Sequence, residues 1–202
     1  MTSTSTFIEL VSVLLFATPF LQSQGNPADF ALPNSSELQS LYRQPLKLPN
    51  VTATDRCRTS SENRNAVPHV GYIFCADLCS WFGNGPVYLA FIHYDKQARN
   101  ISLAGIPAED SGYSIKTPFV SRPEYTGPIL VRGRRFGTGD KVLFDGGGYR
   151  FDDLKLLAPR RAEATQWSFW PTGVLVPRPG CYGLQIDTSK GTDVIIFEVA
   201  AR

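Results

Sequence analysis

The stretch Pro179-Gly180-Cys181-Tyr182-Gly183-Leu184-Gln185-Ile186-Asp187 decides the fold class. Tyr182, Leu184 and Ile186 alternate with Cys181, Gly183, Gln185 and Asp187, the period-two pattern of a strand with one apolar face. Thr188-Ser189-Lys190-Gly191 turns the chain. Ile195, Phe197 and Val199 then return with the same alternation, which predicts a hairpin. Tyr182 and its partners are expected to face the core. Cys181 falls on the opposite face or at the rim, so a disulfide from it would pin an earlier part of the chain across the outside of the sheet.

Working back from this hairpin, short apolar runs divided by turn residues extend to about residue 67. Val70–Phe74, Val87–Tyr94, Ile101–Ala104, Tyr113–Thr117, Ile129–Arg134, Lys141–Phe144 and Val174–Val176 are the runs. Gly83-Asn84-Gly85-Pro86, Thr126-Gly127-Pro128, Gly137-Thr138-Gly139-Asp140 and Gly146-Gly147-Gly148 stand among the turns. Tyr182 just after a Pro-Gly turn matches the tyrosine corner of immunoglobulin-like domains. These features predict an all-β, immunoglobulin-like antiparallel β-sandwich over residues 67–202. Val87–Tyr94 is apolar on both faces and is expected to be a central strand. Asp152–Leu157 is the one weak helical candidate, ended by Pro159.

Residues 1–24 read as a signal peptide. Leu10–Leu21 has the length of its apolar region and is too short for a comfortable membrane span, which takes roughly 20 residues. Glu9 and the lack of Lys or Arg before it depart from the usual leader. Residues 25–66 read as an extended, partly disordered N-terminal arm. Pro45 and Pro49 exclude a helix interior and a central strand there, and Leu46–Leu48 is a candidate edge strand. A secreted or extracellular protein with no stable membrane span after signal cleavage is therefore expected. The net charge of +2 is too small for a nucleic-acid partner.

Cys57, Cys75, Cys79 and Cys181 are an even set in a chain expected to be exported, which points to disulfides. Four cysteines allow three connectivities. Cys57–Cys181 with Cys75–Cys79 is the favoured one, a long bridge plus a local one. Zinc is disfavoured because only His69 and His93 stand nearby.

Several segments occur in a fixed order: Arg43-Gln44-Pro45-Leu46-Lys47-Leu48-Pro49, then Cys57, then Gly85-Pro86-Val87-Tyr88. Tyr125-Thr126-Gly127-Pro128-Ile129-Leu130-Val131-Arg132-Gly133-Arg134-Arg135 follows, and then the 179–187 stretch and Asp193–Phe197. This order resembles a group of uncharacterised bacterial secreted proteins, over roughly residues 41–199. The resemblance carries no activity. It implies an exported β-rich domain in which the cysteines matching Cys57 and Cys181 recur, with Cys75 and Cys79 an addition in this chain.

Candidate sites are few. Arg132 and Arg134 share a strand face and could clamp an anionic ligand or acidic partner. Trp167 and Trp170, with Phe169, are candidates for stacking on sugar rings. No catalytic residue, metal or cofactor is singled out, and no G-x-S-x-G elbow is present. The expectation is a secreted or cell-surface domain that binds a protein or glycan. Two alternatives stand beside it: a hydrolase with a His-based site at His69 or His93, and a structural accessory domain of the cell envelope.

Overall fold

A computed structural model describes residues 35–52, 56–65, 79–158 and 167–201. The leader, Val70–Phe74, His69 and Cys75 lie outside the described residues. Helix α1 spans Ser36–Tyr42. The first strands are β1 (Ser80–Phe82), β2 (Val87–Phe91), β3 (Tyr94–Asp95), β4 (Asn100–Ser102) and β5 (Ala108–Glu109). Next come β6 (Gly112–Lys116), β7 (Phe119–Ser121), β8 (Gly127–Arg135), β9 (Leu143–Gly146) and β10 (Tyr149–Phe151). The last are β11 (Leu154–Ala158), β12 (Ser168–Trp170), β13 (Thr172–Val176), β14 (Gly180–Thr188) and β15 (Gly191–Ala200).

The described strands form three sheets: β1-β2-β7-β12, β10-β9-β13-β6-β5 and β11-β8-β14-β15-β4-β3. All strand pairs are antiparallel except β15 with β4. The chain is thus mostly β, as its alternation predicts. The hairpin read from residues 179–199 is the centre of the six-stranded sheet, with Tyr182 opposite Phe197 and Leu184 opposite Ile195.

One core serves all three sheets. Tyr182, Leu184 and Ile186 of β14 meet Phe119, Phe144, Val174 and Leu89 in a single buried cluster. An aromatic chain crosses it: Phe82 lies 5.5 Å from Phe91, Phe91 lies 4.9 Å from Phe197, and Phe197 stacks on Tyr182 at 5.4 Å. The Tyr182 hydroxyl leaves the core at one end and donates to the Arg178 carbonyl, which gives the buried phenol the partner it needs. Strand β2 is buried along its whole length and lies inside its sheet, as expected of the Val87–Tyr94 run, but it stops at Phe91 and the chain turns at Ile92 and His93.

Two prolines make the corner between the four- and five-stranded sheets. β6 passes to β7 through Pro118, and β12 passes to β13 through Pro171. A proline cannot donate to a ladder, so each strand ends there and restarts in the other sheet. The two bent strands stay paired across the corner. The Thr117 amide donates to the Thr172 carbonyl at 2.9 Å, and the Thr172 hydroxyl donates to the Thr117 carbonyl at 2.5 Å.

Three sequence expectations need correction. Asp152–Leu157 is not helical: Leu154–Ala158 is strand β11, with Leu154, Leu156 and Ala158 buried and Leu157 exposed. Its leucines and lysine favour a helix weakly, and pairing along β8 overrides that preference. The arm is not wholly extended either. Ser35 caps α1 by accepting from the Leu38 amide at 3.1 Å, and Glu37 sits in the first turn where the helix dipole favours a negative charge. Leu38 and Leu41 bury against Leu130 of β8. Leu46–Leu48 forms no strand.

Thr172→Val keeps the shape of the corner but leaves the buried Thr117 carbonyl short of a donor. It should lower stability by about 1–2 kcal/mol. The urea midpoint should fall with an unchanged m value; an unchanged midpoint would show that the corner bond contributes nothing.

Candidate functional site

Gly183, Gln185 and Asp187 alternate with the core residues of β14 and point to the outer side of the sheet, yet all three are buried. The arm covers them. Gln185 lies under its extended part: Nε2 donates to the Pro45 carbonyl at 3.0 Å and Oε1 accepts from the Lys47 amide at 2.6 Å. One side-chain amide thus satisfies two backbone groups of a segment that has no strand partner. Leu48 packs over Gly183, where an added Cβ would stand 3.1 Å from Leu48 Cδ2 and 2.8 Å from Phe136 Cζ.

The Asp187 carboxylate has no exposure and is held by three side chains. Arg132 Nη2 donates to it at 2.6 Å, the Thr192 hydroxyl at 2.7 Å, and Gln185 Nε2 contacts both its oxygens at 2.9 and 3.0 Å. Arg132 Nη2 also donates to the Gln44 carbonyl at 2.9 Å. A charge this deep is tolerated only when paired and hydrogen-bonded. Arg132 is therefore committed to fixing the arm. At the far end Cys57 and Cys181 form a disulfide, on the side of β14 that the alternation assigns to Cys181. Beyond it Ser60 pairs with β15: its amide donates to the Ile196 carbonyl at 2.8 Å and its hydroxyl accepts from the Ile196 amide at 2.9 Å. Cys79 is also disulfide-bonded; its expected partner Cys75 lies outside the described residues.

The three arginines at the end of β8 have three fates. Arg132 is paired as above. Arg135 donates to the Pro179 carbonyl at 3.1 Å. Arg134 is exposed, and its guanidinium makes no hydrogen bond or ion pair among the described residues. It stands at the rim of an open groove of about 400 Å³ between the arm and the turn after β8. Leu46, Leu48, Pro49 and Phe136 supply its apolar walls. Arg132 and Arg134 share the outer face, as expected, but only Arg134 is available to a ligand.

Across the same turn, Asp140, Lys141, Pro177 and Arg178 open onto a second cavity of about 650 Å³. Its charges are paired: Arg178 with Asp140 at 3.0 Å, and Lys141 with Asp152 at 2.9 Å. The Thr138 hydroxyl and then Arg178 hold the Asp140 carboxyl below its ordinary range. The bond to Asp152 holds the Lys141 ammonium above its own. Asp140 and Lys141 are thereby held in their charged forms near neutral pH.

The tryptophan candidates do not join either groove. Trp170 is 4% exposed and belongs to the central core, so it offers no ring face to a ligand. Trp167 packs 6.0 Å from Tyr88, against a separate cluster with Trp81 and Val120. Of that segment Phe169 is the exposed ring. His93 does not end β2, which stops at Phe91; it lies exposed in the turn before β3. Its ring shares no hydrogen bond with an acid or a hydroxyl among the described residues. His69 lies outside them. Sequence reasoning missed Gln185 and Asp187 as the anchors of the arm. The signal was present: two polar residues alternate with core residues on a strand whose other side should have met water.

No family model matches the chain, and no curated protein or solved structure matches it.

Asp187→Ala strands Arg132 in the interface and should cost about 3–5 kcal/mol. Replacing both partners, Arg132→Met with Asp187→Leu, should cost much less, because no uncompensated charge remains. Equal losses in urea unfolding would contradict the pairing. A second check uses Tyr42, whose phenol is pushed up from the ordinary 10.0 to about 12 by burial and then by the Asp153 carboxylate. The neutral phenol favours the docked helix, so this contribution is complete below pH 10.0 and is lost as pH rises toward about 12. Burial also pushes the Tyr125 and Tyr182 phenols up, so Tyr42 is identified in an ultraviolet titration as the late-ionising tyrosine that moves down in Asp153→Asn. A wild-type Tyr42 ionising with free tyrosine would refute the docking.

Proposed function

We propose that this chain is an exported, non-enzymatic binding domain of the cell surface or extracellular space, and that it takes an acidic protein segment in the groove beside Arg134. The observation that carries this reading is the division of labour on β8. Arg132 and Arg135 are consumed by structure, whereas Arg134 keeps a free guanidinium above an open apolar-walled groove. A guanidinium recognises a carboxylate through paired N–H donors, and the walls suit an apolar residue beside it. The apolar leader and the Cys57–Cys181 disulfide support export. The core shared between the five- and six-stranded sheets supports reading them as a sandwich of the immunoglobulin-like kind, and the Tyr182–Arg178 bond serves as its tyrosine corner.

The test is fluorescence anisotropy with a panel of labelled peptides rich in Glu and Leu. At least one should bind, with affinity falling as salt rises. Arg134→Glu should weaken it at least tenfold and Arg134→Lys less. Failure of every acidic peptide to bind, or indifference to Arg134→Glu, would overturn the reading.

A further inference from the structure

β10 and β5 are the two edges of the five-stranded sheet. In a flat sheet, four strand steps of ~4.8 Å would hold them roughly 19 Å apart, beyond the combined reach of an arginine and a glutamate. Yet Arg150 of β10 and Glu109 of β5 meet in an ion pair at 2.5 Å. Both residues are on the outer face: Arg150 stands opposite Asp145 and Glu109 opposite Gly112, out of step with the core residues Phe144 and Ile115. The sheet therefore curls, and its outer face is a trough with this pair reaching over it.

The floor is built from β6, β9 and β13. Leu175 lies between Leu143 and Ser114 in the ladder. Although it belongs to the outer face, Leu175 is only 1% exposed, so the trough is sheltered. One row away Gly173 lies between Asp145 and Lys116. Its missing side chain gives the Asp145 carboxylate its seat, since a Cβ there would stand 2.4 Å from Oδ1. Ser114 Oγ donates to Asp145 Oδ2 at 2.5 Å. Oδ1 has no donor among the described residues. The 650 Å³ cavity opens at the other end of this floor, between the Arg178–Asp140 pair and Lys141. Its lining includes Ser111, whose Oγ is buried with no hydrogen-bond partner among the described residues.

We infer that this trough is a second binding site, distinct from the Arg134 groove, and that it takes a neutral saccharide. A fixed carboxylate with a spare oxygen, hydroxyls, and ion pairs at the mouth offer donors and acceptors in alternation, which suits a row of sugar hydroxyls. Half-buried Leu143 at the cavity wall offers an apolar patch to the C–H face of a ring. The cancellation of charge between Arg178 and Asp140, and between Lys141 and Asp152, disfavours an ionic ligand. The cavity at the Arg178 end of the trough, about 650 Å³, is itself of small-ligand size, which runs to roughly 300–1,000 Å³.

The experiment uses an array of neutral gluco-, galacto-, manno- and N-acetylglucosamine oligosaccharides, followed by calorimetry on any hit. At least one should bind, and Asp145→Asn and Arg178→Ala should each weaken it at least tenfold. Arg178 is exposed, so its variant keeps the test open if Asp145→Asn fails to fold. An acidic peptide from the Arg134 groove should not compete. Binding by no neutral saccharide, or binding that both variants leave unchanged, would overturn the inference.

Discussion

Asp187 places a fully buried carboxylate on the outer side of β14, and that single charge dictates how the rest of the six-stranded sheet is covered. Taking a carboxylate out of water costs several kcal/mol unless its partner and hydrogen bonds go with it. Arg132 reaches over diagonally from β8, where it stands opposite Gln185, Thr192 lies directly opposite on β15, and Gln185 comes from two residues away. Arg132 and Gln185 each have bonding capacity left over, and both spend it on the arm, at Gln44, Pro45 and Lys47. The arm is thereby part of the domain. Its helix covers Leu130, its extended part covers Gln185 and Gly183, and the Cys57–Cys181 bridge fixes its far end. The Arg134 groove has the arm for one wall, so that groove exists only because the clamp does.

Much of this was legible in the residues. The alternation around Tyr182, Leu184 and Ile186 gave strand, hairpin and core face together. The position of Cys181 on the other face foretold an arm lying outside the sheet. What escaped reading follows from context. Leu154–Ala158 carries residues acceptable to helix and strand alike, and only its partner β8 decides. α1 is seven residues long, too short to stand alone, and its Leu38 and Leu41 acquire meaning only with Leu130 beneath them. Trp170 looked like a ligand platform because an isolated strand does not reveal which of its faces meets a second sheet.

The arginines show the same limit for the site. Arg132 and Arg134 are equivalent in sequence, two residues apart on one face. Their environments separate them completely: one is 13% exposed at the side chain and holds a buried carboxylate, and the other is free in solvent. The segments that stand out in the sequence, Gln44–Leu48, Tyr125–Arg135 and Pro179–Asp187, converge on the clamp and its surroundings. Their distinctiveness is that of a packed polar interface. The turn from Phe136 to Asp140 is the partition between the cationic, apolar-walled groove on one side and the charge-balanced trough on the other.

Amide hydrogen exchange at Lys47 tests the central claim most directly, because its N–H has a single partner, the Gln185 side chain. If the arm is an integral cover of the sheet, this amide should be strongly protected and should exchange with the backbone of Tyr182–Thr188 rather than ahead of it. Exchange at the rate of an unstructured peptide, with β14 still protected, would show that the arm is not held by the sheet and would contradict the account.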